Sequence, residues 1–160
     1  MEIIHKKGEH SSSPILYKPW VRRLSGSIYF TEESKYNLGS VDQYDWNKVT
    51  GISFNPLKPN ENAIMIAWRY NPSSDYFEVG PYFNIAGTNL APDTKFIKVR
   101  IGESVGFYLD YDYAQVTGKI DVKTSTYFGK HPFLTSFRIQ PWFGGNMATP
   151  SLIKYHLNFN

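Results

Sequence analysis

The sequence predicts an all-β protein, a two-sheet antiparallel β-sandwich with at most one short helical turn. Three observations carry this. Between Tyr76 and Asn84 the chain reads Tyr-Phe-Glu-Val-Gly-Pro-Tyr-Phe-Asn. There Phe77, Val79 and Phe83 share one face of an extended strand, and Tyr76, Glu78, Tyr82 and Asn84 share the other, because strand side chains alternate with period two. Twelve Tyr and eleven Phe among 160 residues suit pleated surfaces better than helices. No long stretch keeps apolar residues at three-and-four spacing, as an amphipathic helix requires.

The elements follow in chain order. Residues 1–25 read as an N-terminal arm and loop, with a short strand at Glu2 to His5 and turn formers from Gly8 to Pro14. Residues 26–160 read as one sandwich domain, long enough to bury its own core. Its first strand is Gly26 to Thr31, followed by a polar turn to Lys35. Asp42 to Lys48 forms a helical turn or a structured loop. Val49 to Asn55 is a strand, ended by Pro56, Pro59 and Asn60. Ala63 to Tyr70 is apolar on both faces until Arg69, the pattern of a strand covered from above and below. Asn71 to Asp75 turns the chain into the strand at Tyr76. After a loop at Gly87 to Asp93 come strands at Lys95 to Ile101, Ser104 to Tyr113 and Tyr113 to Lys123. Phe133 to Trp142 and Leu152 to Phe159 close the chain. Short strands separated by Gly, Pro and Asn turns are the rhythm of sandwiches and barrels.

Composition excludes several function classes. The chain has no cysteine, which removes disulfides, thiolate metal sites and a cysteine nucleophile. A formal charge of +3, with Lys and Arg scattered, gives no electrostatic footprint for nucleic acid. No run approaches the length needed to span a bilayer as a helix, and Met1 to His10 lacks the apolar core of a signal peptide. The expectation is a protein without membrane insertion, compatible with a virion or the cytoplasm.

The residues that point to function are polar and aromatic side chains on strand faces turned from the core. They are Tyr76, Glu78, Tyr82 and Asn84 from one strand, Tyr108 and Asp110 from a second, and Arg138, Gln140 and Trp142 from a third. Sugars present an apolar face bordered by hydroxyls, so a glycan site needs rings to stack on and amide, carboxylate or guanidinium groups beside them. The same types also suit a protein interface. Glu78 and Asp110 are candidates for a paired-carboxylate site on different strands, and no Glu-x-Asp-x-Glu arrangement puts acids together on a single strand face for hydrolysis. His5, His10, His131 and His156 lack ligand spacing, so no cofactor is expected. Asp110 with Asp112, and Asp42 with Asp45, are the pairs that could hold a structural calcium ion. No phosphate-binding glycine loop or nucleophile elbow is present.

The segment Arg138 to Pro150 (Arg-Ile-Gln-Pro-Trp-Phe-Gly-Gly-Asn-Met-Ala-Thr-Pro) is the most distinctive local sequence. Pro141 limits strand pairing, the glycines reverse the chain, and Trp142 and Phe143 point to opposite faces. From Phe133 to Phe159 the sequence resembles the closing strands of the concanavalin A-like jelly rolls, a group of lectins, laminarinase-like hydrolases and polysaccharide lyases. The resemblance implies a jelly roll that binds glycans on a sheet face. The acid cluster of the hydrolases is absent. Gln140 lacks the His two residues on that the alginate-lyase-like members carry, Trp142 standing there instead. The resemblance therefore implies recognition rather than turnover. Three readings stay open: a non-enzymatic module recognising a glycan or protein surface in a larger assembly such as a phage virion or adhesin, a purely structural subunit, and a lyase or hydrolase using Arg69, Tyr82, His10 or Glu78.

Overall fold

The computed structural model describes residues 1–55, 57–59, 61–92, 95–111, 113–118, 122–125 and 136–160, the segment 122–125 by its backbone. Among them the chain forms thirteen strands and two single 3-10 turns, at Glu32–Ser34 and Val41–Tyr44. The second turn overlaps the start of the helical turn expected at Asp42 to Lys48. The first replaces part of the polar turn, where Thr31 and Ser34 cap one another reciprocally. No helix among the described residues is long and apolar enough to cross a membrane.

The strands are β1 (Glu2–His5), β2 (Lys18–Pro19), β3 (Leu24–Phe30), β4 (Asn47–Ser53), β5 (Ala63–Asn71), β6 (Tyr76–Ile85), β7 (Thr88–Leu90), β8 (Ile97–Val99), β9 (Ser104–Asp110), β10 (Tyr113–Thr117), β11 (Val122–Ser125), β12 (Phe137–Ile139) and β13 (Ile153–Phe159). Sheet I has the order β1-β13-β3-β9-β10-β11. Sheet II has the order β2-β12-β4-β5-β6-β7, with β8 also paired to β6. The pairings are antiparallel. The architecture is the expected β-sandwich. The closing strand expected at Phe133 to Trp142 ends earlier, at Ile139, and its first residues, 133–135, lie outside the described ones.

Two layers of apolar side chains explain the packing. Ile28, Phe30, Val105, Phe107, Leu109, Tyr155 and Leu157 from sheet I meet Ile52, Ile64, Ile66, Trp68, Phe77, Val79 and Phe83 from sheet II in the main core. At its centre Phe30 stacks on Phe77 with centroids 4.2 Å apart, and both rings pack on Trp68. Such offset and tilted ring contacts add to plain area burial. Sheet I is itself tight at Gly26 of β3, where a Cβ would fall 1.9 Å from the Asn158 carbonyl of β13 and 2.8 Å from the Phe107 ring of β9.

Residues 1–25 are built into this sandwich. β1 pairs with β13, and Ile3, Leu16, Val21 and Leu24 join the main core. His5 is buried between Phe143 and Tyr155. Its desolvation lowers the imidazole pKa to about 4, only partly offset by hydrogen bonding to the backbone of Ser11.

A candidate glycan face

The nine residues singled out from the sequence fall in three places. Tyr76, Glu78, Tyr82 and Asn84 occupy the side of β6 turned from the main core, as the alternation requires. That side is not open. β5 brings Ala63, Met65 and Ala67 to the same surface, and β12 brings Phe137 and Ile139. With Trp46 and Tyr82 these form a second apolar cluster, on which Ala91 and Phe96 pack. The covering segment passes so close to β6 that a Cβ on Gly80 would lie 2.6 Å from the Lys95 carbonyl and 2.7 Å from Pro92. Glu78, Tyr82 and Asn84 are buried in consequence.

The charges under this cover are internally satisfied. Arg69 donates to Glu78 and to the Tyr44 carbonyl, and its guanidinium lies 4.3 Å over the Trp46 ring. Lys48 donates to the Trp46 carbonyl and sits 4.8 Å over the Tyr82 ring. Burial lowers the Lys48 ammonium pKa, with Asp45 opposing the shift. This is a closed structural layer. It keeps Glu78 on the far side of the sandwich from Asp110, which separates these two candidates for a carboxylate pair. The two acids cannot flank one glycosidic bond.

Arg138, Gln140 and Trp142 hold the N-terminal segment. Arg138 pairs opposite Ile52, whose side chain is in the main core, and so turns inward at the sandwich edge. There its guanidinium lies 4.3 Å over Phe159 and donates to the Leu16 carbonyl. Burial lowers its pKa. The Gln140 amide donates to Ser12 and Pro14 while its oxygen accepts from the Leu16 N–H. Trp142 stacks on His10, centroids 5.2 Å apart and nearly parallel, and Phe143 is fully buried beside it. The opposite orientation of these two rings is the one the sequence implied.

Tyr108 and Asp110 stand on the outer face of sheet I, away from the main core. Residues that sequence reasoning missed surround them. In β3, Leu24, Gly26, Ile28 and Phe30 face inward, which turns Ser25, Ser27 and Tyr29 outward. The register places Ser25 opposite Tyr108, Ser27 opposite Gly106 and Tyr29 opposite Ser104. On the other side of β9, Gln115 stands opposite Tyr108 and Thr117 opposite Gly106. β13 adds His156 beside Tyr29 and Asn158 beside Ser27.

The result is a floor of small hydroxyl-bearing residues, Ser25, Ser27 and Thr117 around Gly106, between two aromatic pairs. Tyr108 and Tyr113 form one pair, with centroids 6.1 Å apart, and Tyr29 and His156 the other, at 6.0 Å. The rows that carry Tyr108 and Tyr29 are four residues apart along β9, about 13 Å, and three strands make the floor roughly 10 Å wide. Gly106 leaves that floor low: a Cβ there would meet the Thr117 side chain at an ordinary 3.5 Å.

Polar groups at one end are already oriented. The Tyr108 hydroxyl and the Arg23 Nε both donate to Asp110 Oδ2 at 3.0 Å, and the Tyr111 N–H donates to Oδ1 at 2.7 Å. Partial burial and then Asp110 raise the Tyr108 phenol pKa, so it remains a donor through the neutral range. The Tyr113 hydroxyl donates to Gln115 Oε1. No group of three or more metal-ligating side chains occurs among the described residues, and the expected Asp110–Asp112 pair involves a residue outside them.

The chain matches no family model and no curated protein. Among solved structures it is similar to CG-16, a homodimeric agglutinin from chicken liver. The match covers 100% of both chains at 8% sequence identity and a TM-score of 0.40. At that distance the likeness carries no functional inference.

Proposed function

We propose that the protein is a non-enzymatic recognition module that binds a glycan on the outer face of sheet I. The observation that carries this reading is the floor of Ser25, Ser27, Gly106 and Thr117 lying between Tyr108–Tyr113 and Tyr29–His156. The apolar face of a sugar ring stacks on a tyrosine, and its equatorial hydroxyls meet serine, threonine, glutamine and carboxylate groups that both donate and accept. The spacing of the two aromatic pairs suits a short oligosaccharide laid along β3 and β9. Among the described residues sheet II contributes no such surface, because Ala91, Pro92, Lys95 and Phe96 pack over it.

The face is shallow, so one copy binds modestly, and display in a larger assembly such as a virion or adhesin supplies avidity. The fold we assign within the sandwiches is the concanavalin A-like jelly roll, on the strength of the closing segment. The proposal is tested by screening the purified chain against a glycan array and following hits by ligand-observed NMR. Binding that falls when Tyr108 or Tyr29 is changed to Ala supports it. Binding indifferent to both changes, or no binding to any glycan in multivalent form, overturns it.

A further inference from the structure

The strap that leads into β3 carries basic residues and no acidic ones. From His10 to Thr31 there is no Asp or Glu, while Lys18, Arg22 and Arg23 fall within six residues, Arg23 being paired with Asp110. Three large apolar side chains on this strap are exposed: Ile15 at 85%, Tyr17 at 58% and Trp20 at 63%. The backbone beneath them is fixed. Leu16 and Val21 are buried anchors, β2 pairs with β12, Arg138 and Gln140 bind the Leu16 backbone, and the Trp20 N–H donates to the Ser136 carbonyl at 2.7 Å. The exposure of these rings therefore belongs to an ordered segment.

Trp20 adds an independent observation. Its φ is +59°, in the left-handed region that disfavours a Cβ. A glycine or asparagine would hold this backbone at lower cost. An exposed tryptophan kept in a strained conformation, with its ring in solvent, points to a role for the side chain itself.

We infer that the strap 15–23 is a peripheral docking surface for an anionic phospholipid bilayer. Tyr and Trp are the side chains that settle at the headgroup level, with an apolar body and a polar tip. Ile15 enters the acyl boundary beside them, and Lys18 and Arg22, both exposed, meet the anionic headgroups. The strap is too small for a stable protein interface, which takes about 20 residues a side. Reversible contact with a fluid interface needs only a few anchors and positive charge. This inference is independent of the glycan reading, since it concerns lipid without sugar.

The test is co-sedimentation of the full chain with vesicles of phosphatidylcholine alone and with vesicles that also contain phosphatidylserine, neither carrying a glycan. The expected result is binding to the phosphatidylserine vesicles that weakens with salt, and little binding to phosphatidylcholine alone. Trp20→Gly, which relieves the backbone strain, is expected to melt no lower than the parent and to lose binding roughly tenfold or more. Lys18→Glu is expected to lose roughly fivefold or more. Ile15→Ser, an exposed site without strain, serves as the second anchor variant. No binding to phosphatidylserine vesicles, or binding unchanged in both Trp20→Gly and Ile15→Ser, overturns the inference. So does equal, Trp20-dependent binding to soluble heparin, which would assign the strap to a soluble polyanion instead.

Discussion

Replacing Gly106 with Val separates the glycan face from the fold. At Gly106 the added Cβ meets Thr117 Cβ at 3.5 Å, the Thr117 carbonyl at 3.7 Å and the Gly26 carbonyl at 4.0 Å, all ordinary contacts. The site lies in the middle of β9 on an extended backbone, where glycine itself costs about 0.5–1 kcal/mol. Gly106→Val is therefore expected to leave unfolding free energy unchanged or raise it by up to about 1 kcal/mol. The same isopropyl group stands on the floor between Ser27 and Thr117 and prevents a sugar ring from lying flat. Glycan affinity is expected to fall by at least tenfold, about 1.4 kcal/mol. Gly26→Ala is the contrasting control. Its Cβ points into the sandwich, 1.9 Å from the Asn158 carbonyl, and overpacking of this kind costs about 1–3 kcal/mol or more. Chemical denaturation and a glycan titration on both variants give the comparison. A Gly106→Val protein that unfolds as easily as Gly26→Ala, or that binds glycan like the parent, refutes the reasoning.

Acid sensitivity and the closed layer on sheet II give further expectations. His5 is neutral in the folded protein down to about pH 4, whereas an unfolded histidine takes up its proton near 6.5. The unfolded state thus binds more protons between these values, so stability is full above about pH 6.5 and declines as pH falls towards 4, by about 3 kcal/mol. His5→Phe is expected to flatten that part of the curve in denaturation series from pH 7 to 4, and an unchanged slope would show that His5 does not cause it. Glu78→Gln removes the partner of a largely buried guanidinium and is expected to cost about 3 kcal/mol. Replacing both members, Arg69→Met with Glu78→Leu, is expected to recover most of that loss in the same assay. A double variant as unstable as the single one would contradict the account of a closed, mutually neutralised pair. None of these sheet II changes is expected to alter glycan affinity.

Much of this architecture was legible because period-two alternation is a local property. The inward set of Phe77, Val79 and Phe83, the outward set of Tyr108 and Asp110, and the opposed rings of Trp142 and Phe143 all follow from neighbours in sequence. Which strands lie side by side is not local. Ser25, Ser27 and Tyr29 alternate as plainly as any residues in the chain, but their place next to Tyr108 depends on β3 pairing with β9 across some eighty intervening residues. The burial of Glu78, Tyr82 and Asn84 had a signal in the sequence. β5 is apolar on both faces through Ala63, Met65 and Ala67, so its outer side needed a cover. A cover over β5 also shields the adjoining side chains of β6. Arg138 and Gln140 were read as groove residues because nothing local distinguishes a side chain that meets a ligand from one that meets the chain's own N-terminal segment.

The most direct test of the central claim is a backbone NMR titration with a glycan identified by the array. The account predicts amide shift changes concentrated at Ser25, Ser27, Tyr29, Gly106, Tyr108 and Gln115. Changes concentrated instead at Arg69, Glu78, Tyr82 and Asn84 would contradict it.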